Sequence, residues 1–179
     1  MSLSIDVVDP QRGVILETSL AVEDLRNGIV DLVPSADGDR LYLIDNDAAV
    51  TIVDTLARTV VAAGQLAVNT GWHIVGEDIA LSPDGKRLYA GFDTGDDGSQ
   101  YFTDAIEIYD TATWQSIGTI ELRDIMAHFA LSAEGDQLYV VSPFVQSLEI
   151  FDTATYREVA VLSDLGGMPD AVIVPPAGR

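Results

Sequence analysis

The sequence predicts an all-β fold of repeated four-stranded antiparallel units, and two recurring segments carry that prediction. One is a turn that leads into a strand, with copies at 35–42 (SADGDRLY), 82–89 (SPDGKRLY) and 132–139 (SAEGDQLY). The other is an alternating strand that ends in aspartate, at 5–9 (IDVVD), 50–54 (VTIVD), 106–110 (IEIYD) and 148–152 (LEIFD). Tyr42, Tyr89 and Tyr139 are 47 and 50 residues apart. That period is close to one four-stranded blade of a β-propeller and far from a heptad or a helical repeat.

Period-2 alternation and turn chemistry divide each unit into four strands, A to D from the centre outwards. Three complete blades are predicted, at 29–66, 77–122 and 127–163. Strand A reads as mostly apolar in every copy, which is typical of an inner strand between neighbouring blades. In strand C, Thr51, Glu107 and Glu149 each stand beside an isoleucine. One face of strand C is therefore expected to pack and the other to be solvated.

The connections repeat as well. Residues 82–85 (SPDG) join A to B, because proline presets φ, aspartate bonds its own backbone and glycine accepts a positive φ. The sequence Asp-Thr-Ala-Thr, at 110–113 and again at 152–155, joins C to D with the carboxylate as acceptor. We interpret these recurring aspartates as turn formers and not as catalytic groups.

Composition narrows the classes of function. Of 179 residues, 47% are hydrophobic, which is enough to fill a core. No apolar run is longer than about six residues, so no membrane insertion is predicted. Asp and Glu number 29 against 9 Lys and Arg, a net charge of −20, which disfavours nucleic acid and anionic lipid surfaces. Solubility and a cationic partner both remain as explanations of that charge.

The pattern Ser-Pro-Asp-Gly-x-Arg-Leu-Tyr, followed by a strand and an Asp-Thr-Ala-Thr turn, resembles the YVTN repeat and extends over residues 5–178. That family of β-propellers includes lactonase-like proteins, archaeal surface-layer proteins and propeller subunits of quinoprotein amine dehydrogenases. The resemblance implies a WD40-like propeller architecture and an extracytoplasmic location. It implies no particular activity, because these repeats build the scaffold in proteins of unrelated function.

The ends of the chain predict partial blades. Residues 4–22 supply only two strands of a first blade, and residues 170–176 supply a single innermost strand. The chain is then either a small four-bladed ring with a defective closing blade or, as we favour, a piece of a larger propeller, since the resemblance implies about seven blades. Unpaired apolar edges are rarely left open to water, so we predict a homodimer with residues 4–22 and 165–176 at the contact.

An enlarged loop is the candidate metal site. Tyr89 to Asp110 is 21 residues, against 12 and 13 for the equivalent spans of the other two blades. The insert, within 93–104, supplies carboxylates in a glycine-containing loop, and such oxygens suit calcium. The candidate calcium ligands are Asp93, Asp96, Asp97 and Asp104. The alternative is a solvated acidic loop.

Five further residues are predicted to lie on the loop face around the central channel. Trp72 and His73 precede the middle blade, where they can stack on a saccharide or aromatic ligand, or pack the channel mouth. Asp31, Asp78 and His128 occupy equivalent positions of the three A strands, where they can converge on a polar ligand or a metal. A histidine without a matched set of ligands can equally be a satisfied hydrogen-bonding residue.

No nucleophile elbow, Walker loop, dinucleotide fingerprint or HExxH motif occurs in the sequence. The leading interpretation is a non-catalytic propeller module whose loop face binds a protein or saccharide partner. The alternative, from the resemblance, is a fragment or subunit of a lactonase-like hydrolase or a quinoprotein amine dehydrogenase-like enzyme, with His73, Asp78 and His128 as polar site residues.

Overall fold

The structure is a computed structural model that describes residues 3–5, 8–9, 11–15, 20–22, 28–95, 103–126 and 128–174. Within these ranges every helix or strand assigned is a β-strand, and there are sixteen of them. The described residues contain no helix of the length and apolarity that crossing a membrane requires. The chain forms two compact units, Met1–Gly64 and Gln65–Arg179.

The N-terminal strands are short and pair in two places. Strand β1 (Leu3–Ile5) pairs with β4 (Leu20–Val22), and β2 (Val8–Asp9) pairs with β3 (Val14–Ile15), both antiparallel. They form two separate two-stranded sheets. Both lie in the stretch 4–22, or at its edge, over which a two-stranded element is predicted.

Three four-stranded sheets follow, each with its strands in chain order. The first contains β5 (Ile29–Pro34), β6 (Arg40–Asp45), β7 (Ala49–Asp54) and β8 (Thr59–Gln65). The second contains β9 (His73–Leu81), β10 (Arg87–Asp93), β11 (Thr103–Asp110) and β12 (Ser116–Met126). The third contains β13 (His128–Leu131), β14 (Gln137–Ser142), β15 (Ser147–Asp152) and β16 (Arg157–Leu162). Antiparallel blades of this kind confirm the predicted fold class, with three complete blades and partial material beside them.

The second and third blades share one hydrophobic core. The second blade contributes Tyr89, Ile106 and Ile108 from its middle strands, all fully buried. Leu138, Val140 and Phe151 of the third blade belong to the same cluster. Since opposite residues of an antiparallel pair point to the same face, one face of each blade forms this core. Blade-on-blade packing therefore holds the unit Gln65–Arg179 together.

The A-to-B turns form as predicted. In the second blade the Ser82 amide donates to the Arg87 carbonyl at 2.8 Å, and the Gly85 amide, at φ +70°, donates to the Ser82 carbonyl at 2.8 Å. The Asp84 carboxylate accepts the Ser82 hydroxyl at 2.7 Å, and this bond is the main reason that the pKa of Asp84 is lowered. Pro83 packs beside Gly135 of the next turn, where a side chain would collide with the proline ring.

The C-to-D aspartates are turn formers, as interpreted. Asp110 Oδ1 accepts the amides of Ala112 and Thr113 at 3.0 and 2.9 Å, and the Thr113 hydroxyl at 2.9 Å. Asp152 repeats the pattern with the amides of Ala154 and Thr155. The threonine hydroxyl is the first cause of the lowered pKa of each aspartate. Both carboxylates serve the local backbone.

The expectation of a solvated face on strand C is wrong for two of its three residues. Glu107 is 3% exposed, and its carboxylate accepts the hydroxyls of Ser116 and Thr119. Glu149 is 1% exposed and accepts the hydroxyls of Ser142 and Ser147, both at 3.3 Å. Both carboxylates are therefore buried, and each is bound by hydroxyls of its own blade.

The innermost strand predicted over 170–176 is absent from its described part. Residues 163–174 have no strand assignment, because a strand is defined by a hydrogen-bonded partner and none of the described strands pairs with this segment. Its one described side-chain bond runs from the Val172 amide to Nδ1 of His128, at 3.5 Å. Residues 175 and 176 lie outside the described ranges.

Candidate functional site

The candidate site lies at one end of the second blade. Strand β9 begins at His73, which is paired with Asp93 at the end of β10. Strand β11 begins with Thr103 and Asp104. The loop before β9 and the base of the acidic insert therefore meet at the same end of the sheet, away from the turn at 82–85.

Trp72 lies at the surface of this end of the blade and packs on an aromatic side chain beneath it. Its ring is partly exposed, and its centroid is 6.0 Å from that of Phe92, with the planes tilted by 43°. Phe92 is fully buried and is 6.3 Å from Tyr109 in turn. Gly71, at φ +89°, brings the chain around just before the indole. His73, the next residue, is exposed. The result is an aromatic surface that packs on buried Phe92 and is followed in the chain by the exposed His73.

Hydrogen bonds fix the base of the acidic insert. The Gly95 amide donates to Asp93 Oδ1 at 2.7 Å. Thr94 donates twice to Asp104, from its amide at 2.9 Å and from its hydroxyl at 2.7 Å. Asp93 is 1% exposed. Thr94 and Asp104 therefore hold the two ends of the insert together, and Asp93 fixes the turn at its start.

The other two carboxylates of the calcium hypothesis, Asp96 and Asp97, lie outside the described residues. Within the described ranges no three histidine, aspartate or glutamate side chains gather closely enough to hold a metal ion. The calcium site stays a prediction.

Asp78 is buried in the blade behind this surface. It is 6% exposed, and its Oδ2 accepts the hydroxyl of Thr103, itself 1% exposed, at 2.9 Å. The pair crosses over Gly91, where an added Cβ would lie 2.9 Å from both Asp78 Cβ and Thr103. In the other two blades the position of Gly91 holds Ile44 and Val141. Glycine thus makes the room that a buried carboxylate and its hydroxyl partner require.

Asp31 and His128, the counterparts of Asp78, have different surroundings. Asp31 is opposite Ile44 in the unit Met1–Gly64, is partly exposed, and accepts the amide of Leu32 at 2.7 Å. His128 is opposite Val141 and uses Nδ1 to accept the Val172 amide. The described contacts of His128 fit a hydrogen-bonding histidine. Of the five predicted residues, Trp72 and His73 are neighbours at the surface, and Asp78 lies buried on the same strand as His73.

Sequence reasoning missed Thr94, Thr103 and Phe92, which complete this end of the blade. One signal was available for Thr103. Alignment of the repeats on their tyrosines puts Gly91 where Ile44 and Val141 stand, and a lone glycine in a strand marks a close approach of other atoms.

Four-stranded antiparallel blades define the class of protein as a β-propeller. No protein-family model and no curated protein matches the chain. Among solved structures it is similar to the hydrazine synthase of Kuenenia stuttgartiensis, with a TM-score of 0.59 and 23% identity, covering 87% of this chain and 41% of that one. It is also similar to the RRP9 WD40 repeats, with a TM-score of 0.57 and 21% identity, covering 80% and 42% respectively.

Both neighbours are β-propellers, and at these identities the likeness shows the fold alone. This chain spans 41% and 42% of their lengths.

Proposed function

We propose that this chain is a non-catalytic β-propeller module of the YVTN type, which binds a protein or saccharide partner at the Trp72 end of its second blade. One observation carries the proposal: a partly exposed indole rests on buried Phe92 and adjoins the exposed His73. A partly exposed aromatic ring that is held in place by packing is typical of saccharide-stacking sites and of hot spots in protein interfaces. The net charge of −20 favours a cationic surface on a protein partner.

No observation favours the enzyme alternative. Of its three polar residues, Asp78 is buried and bound to Thr103, and His128 accepts a backbone amide. Only His73 is exposed. We therefore do not propose a hydrolase or dehydrogenase reaction for the described site.

Tryptophan emission tests the binding proposal directly. The chain has two tryptophans, and Trp114 is 9% exposed, so a ligand on this surface acts mainly on Trp72. Titration with neutral oligosaccharides and with an oligoarginine peptide, the latter at 150 mM salt, should give a saturable change with one of the two classes. We expect Trp72→Ala to abolish the change and weaken binding by about tenfold or more, since an aromatic anchor contributes upwards of about 2 kcal/mol.

Trp114→Phe is the matched control and should retain the response. Equal affinity of wild type and Trp72→Ala for the ligand would contradict the proposed surface. Failure of both ligand classes to bind at millimolar concentration would do so as well.

We also propose that the acidic insert binds calcium, with Asp93 and Asp104 at its base. Both are already fixed by hydrogen bonds, which lowers the ordering cost of a cation site. Calcium at one hundred times its dissociation constant should add about 2.7 kcal/mol to the free energy of unfolding. Thermal melting in millimolar calcium and in EDTA measures this. Coincident melting curves would contradict the calcium site and favour a solvated acidic loop. So would a calcium-induced shift of the melting temperature that is equally large in the double variant Asp96→Asn, Asp97→Asn.

We propose, finally, that the chain forms a homodimer through residues 4–22 and 165–176, and that the outer face of the third blade is part of the contact. Val14 and Ile15 of β3 are 42% and 62% exposed. On the third blade, Tyr139, Leu148 and Ile150 are only partly buried, although the equivalent Tyr89, Ile106 and Ile108 are fully buried by the blade that follows them. The apolar character of that face is explained if another blade element covers it.

A further inference from the structure

The turn between β14 and β15, residues 143–146, exposes two large apolar side chains. Phe144 is 58% exposed and Val145 is 50% exposed. The A-to-B turns of the second and third blades are in contact with each other, so the opposite ends of the two blades are neighbours as well. Turn 143–146 therefore lies at the same end of the unit as Trp72.

The first blade shows that the fold does not require apolar residues in this turn. Its turn 45–48 (DNDA) and the third-blade turn 143–146 (PFVQ) close with the same hydrogen bond, from the amide of the last residue to the carbonyl of the first, at 2.9 and 3.3 Å. The last residue has a positive φ in both turns, 59° and 51°. The two central positions are exposed in both turns and hold Asn-Asp in the first blade but Phe-Val in the third. Exposed apolar side chains that the turn itself does not need are typical of a binding surface.

The chain after β16 extends this apolar surface. Leu165 and Met168 are 42% and 65% exposed. The Leu165 amide donates to the Gln146 carbonyl at 3.2 Å, so this segment runs beside the turn. Both residues belong to the segment 165–176 of the proposed dimer contact, whereas the turn lies outside that segment.

Charge is separated between the two ends of these blades. In the described part of the unit Gln65–Arg179, the basic residues are Lys86, Arg87, Arg123 and Arg157. Three of them lie in or next to the turns at the far end from Trp72, and Arg123 is paired with Glu158 at 2.8 Å. The described connections at the Trp72 end contain no Lys or Arg, and Asp164 is exposed there. This end therefore combines exposed apolar side chains with negative charge.

We propose that turn 143–146 extends the Trp72 surface and that the two together bind a cationic, apolar segment of a partner protein. The inference rests on the proposed function, since it assigns protein and not saccharide as the partner class of that surface. Phe144 and Val145 bury against apolar side chains of the segment, and its Lys or Arg side chains face the acidic residues around the turn. A neutral saccharide offers nothing to the negative charge and little to the aliphatic side chains.

Fluorescence anisotropy of a short labelled peptide of alternating arginine and leucine tests the inference, at 150 mM salt, where unspecific attraction of cations is screened. We expect saturable binding. A peptide of alternating arginine and serine has the same charge, and one of alternating glutamate and leucine has the same apolar residues. Each should bind about tenfold more weakly or worse, because each meets only one of the two properties of the surface.

The double variant Phe144→Asn, Val145→Thr should weaken binding of the arginine–leucine peptide by about tenfold, because it removes the apolar contact. Asparagine is the residue of the first blade at the matching position, threonine has the shape of valine, and the charge is unchanged. The melting temperature should therefore equal that of the wild type. Val159→Thr is the matched control: Val159 is 56% exposed on β16 of the same blade, and its variant should bind like the wild type.

The inference is overturned if the arginine–serine peptide binds equally well, if only neutral oligosaccharides bind, or if the double variant binds like the wild type. It is also overturned if the double variant changes the mass measured by light scattering, because the turn then belongs to a contact between copies of the chain. Binding lost in Trp72→Ala but kept in the double variant would refute this inference and leave the proposed function standing. Binding lost only in the double variant would contradict the Trp72 surface and retain the turn as the peptide site.

Discussion

Replacing Ile108 by alanine is expected to lower the free energy of unfolding by about 2–5 kcal/mol, because the side chain leaves a cavity in a close-packed interior. Ile108 is fully buried in the core that joins the second and third blades. Since that core is the main apolar contact between the two blades, the loss should be seen as a cooperative shift of the denaturant midpoint. Urea unfolding followed by far-ultraviolet circular dichroism measures it.

Ile117→Ala is the matched control for this experiment. Ile117 is the same residue type in the same blade, on β12, but is 46% exposed. Its replacement should change stability by less than about 0.5 kcal/mol. Equal losses in the two variants would mean that the blade contact does not hold the unit Gln65–Arg179 together.

The second large effect is expected in the oligomeric state. Ile150 occupies the same place in the third blade that Ile108 occupies in the second, each opposite a tyrosine of the preceding strand. Ile108 is fully buried, whereas Ile150 is only partly so. If the outer face of the third blade is a dimer contact, light scattering should give about twice the 19.2 kDa chain mass. Ile150→Asp should give a monomer, because a charge on a buried apolar face is not solvated.

Salt provides an independent readout of the same dimer. Two chains that each carry a net charge of −20 repel each other at low ionic strength. The dissociation constant of the dimer should therefore fall between about 20 and 300 mM salt, because salt screens that repulsion. Ile117→Asp places the same charge at an exposed position of β12 and should leave the dimer intact. A mass near 19.2 kDa at every salt and protein concentration would contradict the homodimer and leave the face for a partner of another kind.

The sequence by itself determined the repeat, the strand order and the turns. These features are local: alternation sets which residues share a face, and glycine, proline and aspartate set where the chain reverses. Asp110 and Asp152 were therefore identified correctly as turn formers, and the three complete blades were found from the recurring segments, their spacing and the alternation within them. The sequence also placed Trp72 and the acidic insert on connections of the same blade.

Only the tertiary structure decided which polar residues are buried and what they bind. Glu107 and Glu149 are predicted as solvated because alternation reports which residues share a face and not whether that face is covered. Both are buried, and hydroxyls of their own blades bind the carboxylates. Asp78 is buried with Thr103, 25 residues later in the chain. Arg87 donates to the Thr153 carbonyl, 66 residues later and in another blade. Such contacts join residues far apart in sequence, and no local pattern encodes them, since burial depends on the packing of whole blades.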